Sequence, residues 1–345
     1  MAENSADQGN SFPWQPGMAT GIGSLPGTDP MAAARTVVTE LPDFPHLAEL
    51  PARGPGADMI GRTAGLLVDI AVETTPRGWR LSSDRPGKDL RRARSMLSQD
   101  LDALEEVLDG YTGLLKLQVA GPWTLAATME QAHSLKAALA DPGAVTYLAG
   151  SLAEGLAAHV AEVAKRVPGA RIVVQVDEPA LSAAMEGAVP SPSGWSRIRA
   201  VEEEVIRARL RTVLASASRY YTVVHCCGWP VPFGIIRGVG ADAVSFDLSQ
   251  LRTADWDLLA ETAEAGLGLL VGLPSAADGD GQQLARLVVD AWRRMGLPPG
   301  TCAPQVVITP ACGLALASPA EADAMLRRVR DAARILPEIM EEQRS

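Results

Sequence analysis

Residues 221–227, Tyr-Thr-Val-Val-His-Cys-Cys, combine a short apolar run with possible metal ligands directly behind it. Residues 243–247, Ala-Val-Ser-Phe-Asp, and residues 305–312, Gln-Val-Val-Ile-Thr-Pro-Ala-Cys, repeat this arrangement. Short apolar runs of this kind are typical of parallel strands that are buried on both faces. In a closed barrel the carboxyl ends of such strands lie at one rim, so the side chains behind them are predicted to converge.

The same alternation of short apolar runs and longer helical patterns extends along the whole chain. Strands are predicted at residues 18–22, 46–50, 114–119, 171–176, 221–224, 243–246, 268–271 and 305–308. Helices are predicted at residues 89–108, 144–166, 200–218, 255–265, 281–294 and 319–335. Eight strands that alternate with helices favour an α/β fold, a single-domain (β/α)8 TIM barrel over residues 16–345. Residues 1–15 are expected to form a disordered tail, and residues 51–56 and 189–194 surface loops.

The composition favours a protein that acts on a small molecule. The chain has 345 residues, 47% of them hydrophobic and 4% aromatic, enough for one barrel-sized core filled mainly by aliphatic side chains. Its net charge of −10 opposes binding to nucleic acid or to an anionic membrane surface. No run approaches the roughly 18 apolar residues of a membrane helix, so we expect a cytoplasmic protein. In that reducing compartment the cysteines are expected to be thiols or metal ligands.

Four side chains behind the predicted strands could bind one metal ion: His225, Cys227, Asp247 and Cys312. Two thiolates, an imidazole and a carboxylate suit Zn²⁺. His225 and Cys227 are two residues apart, so in an extended segment their side chains project to the same side while Cys226 points away. The alternative is a buried pair of core residues, because free cysteine is among the most buried residue types.

Two further strand ends offer polar groups for a substrate. Behind the first strand, residues 21–24, Gly-Ile-Gly-Ser, present glycines that let a ligand approach the backbone, and the hydroxyl of Ser24. A plain turn would have the same composition. Behind the fourth strand, Asp177 and Glu178 are predicted either to hold a substrate ammonium or to be solvated residues of a loop.

Five motifs of the chain resemble those of the cobalamin-independent methionine synthases, in the C-terminal catalytic barrel of that family. The resemblance covers residues 20–336, and the motifs follow the family's order and spacing, which makes it more specific than any single motif. The motifs are Ile22-Gly23-Ser24, Gly121-Pro122-Trp123-Thr124, residues 175–181 (Gln-Val-Asp-Glu-Pro-Ala-Leu), His225-Cys226-Cys227 and residues 310–314 (Pro-Ala-Cys-Gly-Leu).

The resemblance implies a reaction and a set of residues. In that family a His, two Cys and an acid hold a catalytic zinc ion, the zinc binds the thiol of homocysteine, and this thiol is methylated to give methionine. Carried over to this chain, the zinc ligands are His225, Cys227, Asp247 and Cys312. The amine and carboxylate of homocysteine would meet Ile22, Gly23, Ser24, Glu49 and Asp177.

Three departures from the family concern the metal and the methyl donor. Asp247 stands where the family usually has Glu, and fewer than 20 residues precede the first strand, whereas the full-length enzymes of the family carry a second, N-terminal barrel. An aromatic platform for folate is replaced by residues 126–128, Ala-Ala-Thr, and a proton-shuttling His by Gly272 and Leu273. The expected donor is therefore a methylcorrinoid, either methylcobalamin or a corrinoid protein, with methyltetrahydrofolate less favoured.

Two other functions share part of this pattern. A non-catalytic protein that binds zinc and a thiol amino acid would have the same ligands and no donor pocket. A barrel enzyme similar to the porphyrinogen decarboxylases would need no zinc and would use an arginine-rich mouth to bind several carboxylates. Four arginines near the second predicted strand could serve that purpose: Arg53, Arg62, Arg77 and Arg80.

Overall fold

The computed structural model describes residues 12–82, 87–274 and 279–343. In these residues the strands are β1 (Ala71–Thr75), β2 (Gly78–Ser82), β3 (Leu114–Ala120), β4 (Arg171–Asp177), β5 (Tyr221–Cys226), β6 (Ala243–Asp247), β7 (Gly268–Leu273) and β8 (Val306–Pro310). The pair β1 and β2 forms an antiparallel hairpin, and β3 to β8 form one parallel sheet in chain order.

Two extended segments close this sheet into a barrel. Residue Ala19 bridges Ile308 of β8, and His46 bridges Lys116 of β3, in both cases in the parallel direction. The two segments are joined to each other where the Leu25 amide donates to Glu49 and the Glu49 amide donates to the carbonyl of Gly23. The predicted (β/α)8 barrel is therefore confirmed.

The first two barrel positions differ from the prediction in one respect. Residues 18–22 and 46–50 pair through single bridges, whereas the prediction was two full strands. The first segment contains Gly21 and is followed by Gly23, and glycines weaken a strand. The second segment follows Pro45, which has no amide hydrogen to donate. These residues limit the length of the backbone pairing while leaving the closure intact.

The helices of the described residues lie between the strands along the chain. They are α1 (Pro30–Glu40), α2 (Met59–Leu66), α3 (Lys88–Val107), α4 (Pro122–Thr128), α5 (Pro142–Arg166), α6 (Leu181–Met185), α7 (Glu203–Ser216), α8 (Phe233–Gly238), α9 (Asp255–Glu264), α10 (Gly281–Met295), α11 (Pro299–Gln305) and α12 (Pro319–Glu342). All six predicted helices are present, and α12 continues past its predicted end at residue 335. None of the described helices has the length and apolar character needed to cross a membrane.

The elements that the sequence analysis missed are short. The hairpin strands β1 and β2 bury only two and one of their five residues, so neither shows a clear apolar run. Helices α2, α4, α6, α8 and α11 have five to eight residues each, less than the two or three turns over which helical periodicity is visible. Helix α1 is longer, and it begins at an Asp29 cap that accepts hydrogen bonds from two backbone amides.

The amino-terminal end of the barrel interior is apolar. The Trp14 side chain is fully buried there, stacks on Phe12 with ring centroids 5.3 Å apart, and donates from Nε1 to the carbonyl of Pro304 at 3.0 Å. A Cβ on Gly268 would lie 2.4 Å from the Trp14 ring, so β7 must have glycine at this point. Residues 1–11 of the predicted tail lie outside the described residues, whereas Phe12 and Trp14 pack against the barrel.

The carboxyl-terminal half of the interior is polar. Buried polar side chains lie at alternate positions of the strands: Lys116 and Gln118 on β3, Gln175 and Asp177 on β4, His225 on β5, Ser245 on β6 and Thr309 on β8. Several buried atoms in this region have no hydrogen-bond partner among the described residues: Thr20 Oγ1, both ring nitrogens of His46, Gln118 Oε1, Gln175 Oε1 and Thr309 Oγ1. The barrel thus has a dry, packed end and a polar end.

Candidate active site

A cavity of about 300 Å³ lies at the carboxyl ends of the barrel strands. Its lining includes eight of the nine residues predicted for the site: Ile22, Gly23, Ser24, Glu49, Asp177, His225, Cys227 and Cys312. Pro51, Met59, Pro179 and Gly313 complete the lining. Residues that are separated by up to 290 positions in the sequence are therefore brought together by the closure of the barrel.

Two thiols and an imidazole meet at one side of this cavity. The Sγ atoms of Cys227 and Cys312 are 4.0 Å apart. The hydrogen bond between the two thiols, together with one from His225, lowers the pKa of Cys312 to about 4. The same bond, with burial, raises the pKa of Cys227, because the pair shares one proton. The two thiols therefore differ in acidity, and Cys312 is the more acidic of the pair.

This donor set fits zinc in kind, and its two sulfurs also fit in spacing. Two sulfurs bound to a tetrahedral zinc ion at ~2.3 Å each lie about 3.8 Å apart, close to the observed separation. The Nδ1 atom of His225 lies 2.9 Å from the Ser245 hydroxyl, which fixes the ring and leaves Nε2 for a ligand. Within the described residues no group of three or more His, Cys, Asp and Glu side chains is already arranged to hold a metal ion. Zinc binding would therefore require a side-chain movement at this site.

Asp247 is the one predicted site residue that does not line the cavity. It ends β6, and its Oδ1 accepts hydrogen bonds from the Ser249 amide at 2.8 Å and the Ser249 hydroxyl at 2.7 Å. These bonds cap the short 3-10 helix Leu248–Gln250. To reach the two thiols, the Asp247 carboxylate would have to leave this cap.

The adjacent acids Asp177 and Glu178 have different environments. Asp177 lines the cavity and accepts a hydrogen bond from Gln175 Nε2 at 2.7 Å. Burial raises the pKa of the Asp177 carboxyl to about 7, although the nearby His225 ring and Lys116 ammonium act to lower this pKa. Neighbouring residues of an extended chain point to opposite faces. Only the first acid of the pair therefore lines the cavity.

Glu178 caps a helix. Its carboxylate accepts hydrogen bonds from the amide of Trp123 at 3.0 Å and from the amide and hydroxyl of Thr124 at 2.7 Å each, in the first turn of α4. A Cβ on Gly121 would lie 2.3 Å from this carboxyl group, so the cap needs glycine at that position. The prediction of a substrate-binding pair is thus wrong for Glu178.

The turn of residues 22–24 is held from inside the barrel. The Ile22 carbonyl accepts hydrogen bonds from Lys116 Nζ at 2.7 Å and from Gln175 Nε2 at 3.1 Å. Burial lowers the pKa of the Lys116 ammonium to about 8, although Asp177 and Glu49 raise it. A Cβ on Gly21 would lie 2.2 Å from the His46 ring, so this glycine makes room for a buried side chain rather than for a ligand.

Lys116, Gln118 and Ser245 are interior polar residues that were not predicted from the sequence. The signal was present, since Lys116 and Gln118 are polar residues two apart in an otherwise apolar strand, and Ser245 stands alone in another. Alternate residues of a barrel strand face the interior. Isolated polar residues in buried strands thus indicate the polar half of a barrel interior.

The remaining cysteines and histidines lie away from the thiol pair. Cys226 is fully buried, and its Sγ lies 3.9 Å from the Ser182 hydroxyl, on the other face of the chain, as predicted. Cys302 is buried in α11, which leads into the opposite end of the barrel. His159 is buried in α5, and His133 is exposed.

The four arginines considered for a carboxylate-binding mouth are all paired with acidic side chains of the protein, and Arg62 Nε also lies 3.9 Å from Glu49, which lines the cavity. Arg53 and Arg62 both bind the buried Asp100. Arg77 and Arg80 bind Glu130, at 3.2 and 3.0 Å. None of the four lines the cavity. The arrangement gives no support to a decarboxylase that needs free guanidinium groups at the barrel mouth.

Comparisons with known proteins identify the family and the fold of the chain. The family model described as "Cobalamin-independent synthase, Catalytic domain" matches residues 18–335. Among solved structures, a B12-independent methionine synthase from Shewanella sp. W3-18-1 in complex with selenomethionine is similar, with a TM-score of 0.59 and 14% identity over 95% of this chain and 100% of that chain. A variant of methylaspartate ammonia lyase from Clostridium tetanomorphum reaches a TM-score of 0.45 and 11% identity, over 95% of this chain and 60% of that chain. No curated protein matches the sequence.

Proposed function

The chain belongs to the family of cobalamin-independent synthase catalytic domains, and we propose that it is a zinc-dependent methyltransferase that methylates the thiol of homocysteine to give methionine. The observation that carries this proposal is the single cavity that joins a Cys227–Cys312 thiol pair, 4.0 Å apart, to the buried acids Glu49 and Asp177. A substrate with both a thiol and an ammonium group needs metal-binding thiols and carboxylates in one cavity.

Each group of the cavity has a role in this reaction. Zinc held by His225, Cys227 and Cys312 would remove the proton of the substrate thiol and supply a thiolate at neutral pH. Asp177 and Glu49 would bind the substrate ammonium, and the amides of residues 22–24 its carboxylate. Lys116 holds that turn by its carbonyl, so the substrate backbone would bind to a fixed surface. Binding both ends of the amino acid leaves its sulfur with one orientation.

For the methyl donor we propose a methylcorrinoid, methylcobalamin or a corrinoid protein, in preference to methyltetrahydrofolate. A folate N-methyl group becomes a good electrophile only when its nitrogen is protonated. The residues at the end of β7 offer no acid for that step, since Gly272 has no side chain and Leu273 is fully buried. A Cβ on Gly272 would lie 2.6 Å from the Phe246 carbonyl, so a larger residue has no room there.

The metal is tested by elemental analysis of the purified protein. We expect about one zinc ion per chain in the wild type and in Cys302→Ala, and little or none in Cys312→Ser. Cys302 is the matched control because it is a buried thiol outside the cavity. Equal zinc contents in Cys312→Ser and Cys302→Ala would refute the proposed ligand set.

The donor is tested by following methionine formation from homocysteine with methylcobalamin or methyltetrahydrofolate. We expect turnover with methylcobalamin and little or none with the folate. Folate-driven turnover as fast as cobalamin-driven turnover would contradict the corrinoid donor. Zinc and homocysteine binding without turnover from either donor would favour a non-catalytic zinc and thiol-binding protein.

A further inference from the structure

A second and larger cavity, of about 620 Å³, lies outside the barrel. It is formed by α4, the start of α5, α7 and the segment of residues 191–202. None of its lining residues lines the thiol cavity. Its volume falls in the range of about 300 to 1,000 Å³ that is typical of small-molecule sites. The proposed methyl transfer assigns no role to it.

The floor of this outer cavity is apolar and well packed. It includes the nearly fully buried side chains of Trp123, Leu139 and Val145. The indole Nε1 of Trp123 donates to the Ile206 carbonyl at 3.2 Å, which fixes the ring against α7. An apolar ligand body could therefore contact this floor without first displacing a hydrogen-bonded side chain.

The wall opposite the floor is a segment held by backbone hydrogen bonds. The Ile198 amide donates to Val189 at 2.8 Å, and the Ser191 amide donates to Ser196 at 2.8 Å, so the segment folds back on itself. The Val201 amide donates to Ala184 at 3.1 Å and ties the segment to α6. The cavity is thus preformed, which lowers the entropic cost of binding a ligand.

The charged groups around this cavity are nearly all positive. Lys136, Arg197, Arg199 and Arg209 line it, against a single acid, Glu202. These four cations form no ion pair with the residues that the structure describes. The Nε atom of Arg209 is buried and has no hydrogen-bond partner among those residues.

Helix α7 itself provides the contrast. Arg207 binds Glu203, and Arg211 binds Glu204 at 3.3 Å, and neither arginine lines the outer cavity. Arg209 lies between them in the sequence and has no acidic partner within the part of the chain that the structure describes. In a chain of net charge −10, unpaired cations beside an apolar cavity complement an anion.

We propose that the outer cavity binds a small amphipathic anion, with an aliphatic or aromatic body on the Trp123 floor and one carboxylate or phosphate group at Arg199 and Arg209. The apolar body would bury the exposed part of the floor. The anionic head would give the Arg209 guanidinium the partner that it lacks. Neither a neutral nor a cationic ligand of the same body would satisfy both surfaces.

The test measures binding of three probes with the same ten-carbon chain by calorimetry: decanoate, decanol and decyltrimethylammonium. We expect decanoate to bind the wild type at least about tenfold more tightly than decanol or decyltrimethylammonium. One charge-assisted hydrogen bond to the carboxylate contributes a difference of this size. Decyl phosphate, used alongside, distinguishes a phosphate head from a carboxylate head. Similar affinities for all three ten-carbon probes would overturn the proposal, since the cavity would then be only an apolar surface.

Variants locate the site. Arg209→Met should weaken decanoate binding about tenfold or more, while Arg209→Lys, which keeps the charge, should weaken it less. Arg211→Met is the matched control on the same helix, and it should leave the affinity unchanged. Circular dichroism checks that each variant is folded. Equal losses in Arg209→Met and Arg211→Met would place decanoate elsewhere, and no binding of decanoate or decyl phosphate to the wild type would refute the proposal outright.

Discussion

The two ends of the barrel interior are built from different kinds of side chain. At the amino-terminal end eight buried residues pack together: Trp14, Phe44, Leu114, Val173, Val223, Ala243, Leu270 and Val307. At the carboxyl-terminal end the same strands contribute Lys116, Gln175, Asp177, His225 and Ser245. A single strand can contribute to both ends of the interior, since β4 places Val173 in the apolar end and Asp177 in the polar end.

This difference separates stability from function. Burying an apolar side chain stabilises the fold, by about 1.5 to 3 kcal/mol for each large residue. A buried polar atom without a partner costs about 1 to 3 kcal/mol instead. At the polar end several buried atoms, including both ring nitrogens of His46, have no hydrogen-bond partner among the described residues. The apolar end therefore offsets the cost of the polar end, and the two should respond to mutation in different measurements.

The largest expected effect is at the apolar end. Trp14→Ala should lower the free energy of unfolding by about 3 to 5 kcal/mol, because it removes a fully buried indole and leaves a cavity. Homocysteine affinity and zinc content should stay as in the wild type. Urea denaturation followed by circular dichroism measures the free energy of unfolding. Calorimetry measures homocysteine affinity, and elemental analysis measures zinc content.

The control is Trp195→Ala, whose side chain is 94% exposed and should change the unfolding free energy by less than about 0.5 kcal/mol. A loss of homocysteine binding in folded Trp14→Ala would show that the two ends are not independent.

At the polar end Asp177→Asn should have the opposite signature. Loss of a charge-assisted contact to the substrate ammonium should weaken homocysteine binding by about 1.5 to 3 kcal/mol, or roughly tenfold to a hundredfold. The unfolding free energy should not fall, because the substitution removes a carboxyl group whose pKa is raised to about 7 by burial. The exposed Asp290→Asn is the control. Unchanged homocysteine affinity in Asp177→Asn would leave this acid with a structural role only.

Ser245→Ala tests whether the polar end orients a metal ligand. The Ser245 hydroxyl lies 2.9 Å from His225 Nδ1, and groups that orient a metal-binding histidine typically contribute tenfold to a hundredfold, about 1.4 to 2.7 kcal/mol, to metal affinity. We expect a loss of zinc affinity in that range, measured by competition with a chelator. Ser151→Ala, at a serine buried in α5, should have no such effect. The same zinc affinity in both variants would contradict this role of Ser245.

The remaining prediction concerns pH. Burial, aided by Lys116, lowers the pKa of His46 from 6.5 to about 3. Between these two pH values the unfolded chain binds the proton and the folded chain does not. Stability due to His46 is therefore complete above pH 6.5 and falls as the pH is lowered, by up to about 1.4 kcal/mol per pH unit.

The comparison with His46→Leu isolates this contribution. The variant should lose stability less steeply than the wild type between pH 6.5 and 5, as measured by urea denaturation at each pH. His159, whose pKa burial lowers to about 4, should contribute in the same direction in both proteins. The exposed His133→Leu should leave the slope unchanged. Parallel pH profiles for the wild type and His46→Leu would show that folding does not lower the pKa of the His46 ring.

The sequence predicts the barrel well where burial alone decides the structure. Strands β3 to β8 are buried on both faces, so each is an apolar run that is visible without any knowledge of its partners. The segments of residues 18–25 and 46–50 are recognised less well, because their pairing depends on Lys116 and Ile308, which are distant in the sequence. The hairpin of β1 and β2 is missed for the related reason that most of its residues are not buried.

The sequence also predicts the candidate site only in part. The position behind a strand identifies His225, Cys227 and Cys312, since strand ends converge in any barrel. The same rule also selects Asp247 and Glu178, and it does not tell whether a carboxylate lines the cavity or caps a helix. That choice depends on nearby amides, those of Ser249 and of Trp123 and Thr124, which only the folded chain brings within hydrogen-bond distance.

The single bridges at residues 18–25 and 46–50 also determine where the barrel can open. Pairs of neighbouring strands from β3 to β8 share four to seven paired residues each, whereas these two segments are held by one bridge at each junction. Regions with few backbone hydrogen bonds open locally at a free energy well below that of global unfolding. The amide protons of Thr20 and Leu25 should thus exchange with solvent faster than those of β4. The turn proposed to bind the substrate carboxylate lies on this segment, so local opening there would loosen the proposed binding surface itself.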